Sequence, residues 1–77
     1  MKTMKSIENG IAKVLTSATG INVTAEFVQA GGESYFFIEW QGKEEKVKNT
    51  IFKCMGKTAK GYEYDDEFGF SSCYVTI

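Results

Sequence analysis

The dipeptide Gly31-Gly32 constrains this chain more than any other feature. Both positions accept a positive φ without a Cβ clash, which is what a two-residue hairpin turn requires. The flanking runs, Ile21 to Ala30 and Ser34 to Gln41, alternate apolar and polar residues with the period of a half-buried strand. With the two glycines as the loop, Phe27 falls opposite Phe36, Ala25 opposite Ile38 and Val23 opposite Trp40. All six are apolar and share one face. A slip of one residue would turn the three on one strand to solvent, so pattern and turn specify the same register. The other face pairs Val28 with Tyr35, Glu26 with Phe37 and Thr24 with Glu39.

An apolar sheet face needs a cover, and two segments offer one. In Thr3 to Thr19, Met4, Ile7, Ile11, Val14, Leu15 and Ala18 recur at spacings of three and four, which predicts a helix with one apolar stripe. Thr3 or Ser6 serves as its cap, and Gly20 suits the left-handed position that ends it, with Ile21 packing back. Gly10 inside it costs about 1 kcal/mol against Ala. Lys43 to Met55 predicts a second helix, with Glu44 and Glu45 at its start, lysines after them and Gly56 as the stop. Its buried stripe reads Val47, Ile51, Cys54 and Met55, with Phe52 at the edge and Lys46, Lys48 and Lys53 solvated.

Lys57 to Tyr64 and Phe68 to Ile77 read as a second hairpin around Asp65-Asp66-Glu67. Cys73, Val75 and Ile77 are its most apolar alternating set, and that choice buries Ala59 and Gly61 with them. Tyr62, Tyr64, Phe70 and Tyr74 then join Tyr35 and Phe37 on the far face. Each half of the chain follows the plan helix, glycine, strand, turn, strand, a weak sign of duplication. The expected fold is α+β, in the order α-β-β-α-β-β. It is a single domain over residues 1–77, a four-stranded antiparallel sheet with two helices packed on one face. Strand order stays open. A first or last strand at an edge would invite pairing with a second copy, because only Lys57 and Lys60 guard against it.

Composition removes most chemistries. The 77 residues include no His, the commonest general base and metal ligand, and no Arg, the usual reader of phosphate and guanine. Two cysteines without histidine cannot complete a structural zinc site, so no metal and no cofactor are expected. Cys54 and Cys73 read as small buried hydrophobes in a reducing compartment, with a disulfide between them as the alternative. No run approaches the roughly 20 apolar residues of a membrane span, and the N-terminus lacks a signal-peptide pattern. The expected location is the cytoplasm, with no membrane partner. Serines and threonines have no base to activate them, so no enzyme activity is expected.

Three surfaces remain. The uncovered sheet face, with Tyr35, Phe37, Tyr62, Tyr64, Phe70 and Tyr74, exceeds the apolar patch that soluble monomers usually expose. Tyrosine suits an interface, although strands favour aromatics in any case. The acidic turn formed by Glu63, Asp65, Asp66 and Glu67 lacks calcium-loop spacing. It reads as a solvated tip, or as one that steers a basic partner. Lys43 to Lys60 carries six lysines, the pattern of a wet helix face. Together these predict a non-enzymatic protein-interaction module with a larger protein partner. Its binding residues would be Tyr35, Phe37, Tyr62, Tyr64, Asp65, Asp66, Glu67, Phe70 and Tyr74. One concrete form is a phage- or mobile-element-encoded inhibitor of a host defence protein. A net charge of −1 is too small for whole-surface mimicry of nucleic acid. The alternatives are a nucleic-acid-binding accessory protein using the sheet aromatics and the Lys43–Lys60 segment, and a homo-oligomer.

Overall fold

The computed structural model describes residues 3–76. Helix α1 spans Met4–Thr19, strands β1 and β2 span Val23–Ala30 and Glu33–Gln41, and helix α2 spans Glu45–Met55. A 3-10 turn, Gly56–Thr58, leads into β3 (Ala59–Asp65) and β4 (Phe70–Thr76). The fold is α+β, with the expected order α-β-β-α-β-β. Gly31 and Gly32 take φ of 58° and 79°, and the first hairpin has the register read from the sequence, with Phe27 opposite Phe36 and Val23 opposite Trp40.

The strand order is β1-β2-β4-β3, and every neighbouring pair is antiparallel. The last strand is therefore central rather than an edge; the edges are β1 and β3. Central placement suits β4, because Ser71, Cys73 and Val75 are buried opposite Trp40, Ile38 and Phe36. Ser71 apart, these residues join Val23, Ala59, Leu15, Val47 and Ile51 in one hydrophobic core. Ile77, expected in that core, lies outside the described residues.

Helix α1 is turned from the orientation its apolar stripe predicts. Leu15 is buried and Ile7 and Ile11 pack against the core, but Met4 and Ala18 are exposed and Val14 is 57% exposed. Polar residues account for the turn. The Val23 N–H donates to Thr16 Oγ1 at 2.9 Å, and Thr16 Oγ1 donates to the Val23 carbonyl at 3.2 Å. The Phe27 N–H donates to Glu8 Oε2 at 2.5 Å. These three bonds satisfy outward-facing backbone groups of edge strand β1, which an added strand would otherwise claim. Satisfying such part-buried donors outweighs fully covering Val14, since a lost partner costs about 1–3 kcal/mol.

In α2, Val47 and Ile51 are buried and Met55 and Phe52 pack against the core. Cys54 is exposed, contrary to its expected burial. Met55, four residues after Ile51, takes the inward position and turns its neighbour out. Cys73 is buried, and no disulfide joins the two. Burial pushes the Cys73 thiol from its ordinary 9.0 up to about 11. The fold thus favours the neutral thiol. That contribution is whole below pH 9.0 and is lost as pH rises through about 11, because the unfolded chain ionises first. Iodoacetamide is expected to alkylate Cys54 in the native protein and to reach Cys73 only on unfolding, read by mass spectrometry. Equal labelling of both thiols at neutral pH would contradict their placement.

Candidate functional site: the uncovered sheet face

The second hairpin departs from simple alternation. Ala59 pairs with Val75 and Lys60 with Tyr74, but the register then shifts, and Glu63 pairs with Ser72, Tyr64 with Ser71 and Asp65 with Phe70. Gly61 and Tyr62 together oppose Cys73. Gly61 has φ of 71°, the left-handed value that marks the first residue of a glycine-type bulge. The extra residue reverses the facing of everything after it. Tyr62 and Tyr64, expected on the far face, are thereby moved off it, and Gly61 itself is exposed rather than buried.

Tyr62 packs against the core beneath the helices. Its ring stacks on Trp40 at 6.1 Å between centroids, and its hydroxyl lies 3.3 Å from Ser71 Oγ. Ser71 Oγ in turn donates to the Gly42 carbonyl at 2.6 Å. Tyr64 stands opposite the same buried serine. Lys48 Nζ and Lys43 Nζ lie 5.2 Å from the ring centres of Tyr62 and Tyr64, within cation–π range. Two of the six lysines of the basic segment are thus engaged with tyrosines, one of which, Tyr62, packs on the core.

The far face keeps Tyr35, Phe37, Phe70 and Tyr74. Tyr35 meets Tyr74 edge-on at 4.9 Å, and Phe37 lies 5.9 Å from Tyr74. Tyr74 also lies close over the Gly61 backbone. Carboxylates stand among these rings. Across the strands the face reads Glu26, Phe37, Tyr74, Lys60 in one row and Thr24, Glu39, Ser72, Glu63 in the next. A third row holds Gln41, Phe70 and Asp65. A cleft of about 590 Å³ opens here, with Phe37, Glu39, Glu63, Phe70 and Ser72 in its lining, and Tyr64, whose register position is on the core side, still borders it. Phe68, 67% exposed, forms its outer rim and was not singled out by sequence reasoning. A phenylalanine inside an acidic turn was the available signal.

The tip is built by one of its own acids. Asp65 Oδ1 accepts from the Glu67 and Phe68 N–H groups at 2.9 and 3.3 Å, and the Asp65 carbonyl accepts from the Gly69 N–H at 2.8 Å. Asp65 therefore shapes the turn, while Asp66 and Glu67 are exposed beside it. Among the described residues, no group of three or more His, Cys, Asp or Glu side chains is placed to hold a metal ion. No described helix is long and apolar enough to cross a membrane. No protein-family model, curated protein or solved structure matches the chain.

Proposed function

We propose that this chain is a non-enzymatic module that binds a larger protein through the uncovered sheet face and the adjoining acidic tip. The observation that supports this reading most is the interleaving of the far-face rings with carboxylates. Tyr35, Phe37, Phe70 and Tyr74 share their face with Glu26, Glu39, Glu63 and Asp65, whereas Lys60 is the one lysine in the three rows above. Single strands of nucleic acid need stacking rings along a positive path, and here the rings are interleaved with carboxylates. A protein surface with basic and apolar groups fits the same pattern.

The finer form of the proposal is an inhibitor or accessory protein of the kind phages and mobile elements encode, which occludes a host defence protein. Its support is the small size, the acidic tip beside an aromatic face, and the lack of histidine for acid–base work. A tagged pull-down from native host lysate, split into nuclease-treated and untreated halves, tests the reading. The expected result is a protein retained after nuclease treatment and lost with Tyr35→Ala combined with Phe37→Ala. Recovery of nucleic acid alone would replace this reading with the nucleic-acid one.

A further inference from the structure

The row Glu39, Ser72, Glu63 has an uneven profile. A small side chain on central strand β4 lies between two long acidic ones on β2 and β3, all on the uncovered face. The two glutamates stand about 10 Å apart at their Cα atoms, two strand spacings. Along the strands the slot over Ser72 is closed by rings, Phe37 and Tyr74 in the row on one side and Phe70 on the other. Phe70 is 39% exposed, so its ring remains available to a ligand. The slot is thus acidic on two sides, aromatic at both ends and floored by a hydroxyl.

We propose that this slot receives an arginine side chain presented by a segment of the partner protein. The inference rests on the protein-binding reading and names the chemistry it recognises. Charge complementarity selects a cation, and the shape selects arginine over lysine. A planar guanidinium offers a fork of donors to a carboxylate while its flat face lies on a ring. An ammonium is a compact point charge that holds its water more strongly. A second copy of the chain is a poorer occupant, because it has no arginine to offer. A phosphate backbone would meet two glutamates.

The test is an amide NMR titration of the labelled full chain with three capped tripeptides, Gly-Arg-Gly, Gly-Lys-Gly and Gly-citrulline-Gly, at millimolar concentration. The expected result is a set of shifts centred on Glu39, Glu63, Phe70 and Ser72. The arginine peptide binds several-fold more tightly than the lysine peptide, and the neutral citrulline peptide leaves the spectrum unchanged. Glu39→Gln with Glu63→Gln weakens the arginine peptide about tenfold, equivalent to about 1.4 kcal/mol, without altering the rest of the spectrum. The inference is overturned by no response, by equal response to all three peptides, or by shifts spread to Glu44 and Glu45. Concentration-dependent shifts at the slot without peptide would assign it to a second copy and overturn it too. In the pull-down, a partner lost with Tyr35→Ala/Phe37→Ala but kept by Glu39→Gln/Glu63→Gln removes the slot and leaves the protein-binding reading standing. A partner kept by both double variants removes both.

Discussion

Replacing Gly61 with alanine is expected to cost about 2–4 kcal/mol. A domain of this size has on the order of 4–8 kcal/mol in total, so the variant should be close to its unfolding threshold. Two effects add. The backbone at Gly61 has φ of 71°, where a Cβ alone costs about 1–2 kcal/mol. The new Cβ would also lie 2.7 Å from Cδ2 and 3.0 Å from Cε2 of Tyr74. That ring cannot retreat freely, because it is held edge-on to Tyr35 and packed beside Phe37. Dissolving the bulge is no escape either. Simple alternation would turn Glu63 toward the core in place of Tyr62, and a buried unpaired carboxylate is costlier than the clash. Gly69→Ala is the control. Its φ is 74°, and nothing lies within 4 Å of an added Cβ. Urea unfolding followed by circular dichroism should show Gly69→Ala losing only the backbone term. Equal losses for the two variants would mean that Tyr74 does not pack over Gly61.

Trp40→Ala is expected to cost about 3–5 kcal/mol, the range for truncating a large buried aromatic. Trp40 is 1% exposed, sits in the centre of the core on strand β2 and stacks on Tyr62. Trp40→Phe should be much milder than its lost volume suggests. The indole Nε1 is buried and has no hydrogen-bond partner among the described residues. Such a donor carries a desolvation penalty of about 1–3 kcal/mol, and phenylalanine removes it. The gain offsets part of the cavity left behind. Circular dichroism is the appropriate probe, since Trp40 is the only tryptophan and its fluorescence is lost in both variants. A Phe variant as unstable as the Ala variant would indicate that the indole N–H finds a partner in solution.

Local rules made much of the fold readable. Gly31-Gly32 and the alternation around it define the first hairpin, because a two-residue turn and a one-sided apolar face admit one register. Thr3 caps α1 through its Oγ1, which accepts from the Ser6 N–H at 3.1 Å, and Gly20 ends it with φ of 77°. The uncovered aromatic face was legible only in part. Tyr35 and Phe37 follow from the first hairpin, and Phe70 and Tyr74 follow from the apolar alternation of β4. Tyr62 and Tyr64 were misplaced because a bulge changes face by inserting one residue, and periodicity carries no mark of where the insertion falls.

The sequence by itself determined the element order and the first register, since each depends on neighbouring residues. The tertiary structure decided the strand order, the turning of α1 toward the edge of β1, the exposure of Cys54 and the bulge at Gly61. It also decided the slot over Ser72, whose walls come from β2 and β3 and whose floor comes from β4. Glu39 and Glu63 are 24 residues apart in the chain and meet across Ser72 only because β4 passes between their strands. Long-range pairing of this kind is a competition among whole arrangements for the same buried area and backbone hydrogen bonds, and no local spacing records its outcome.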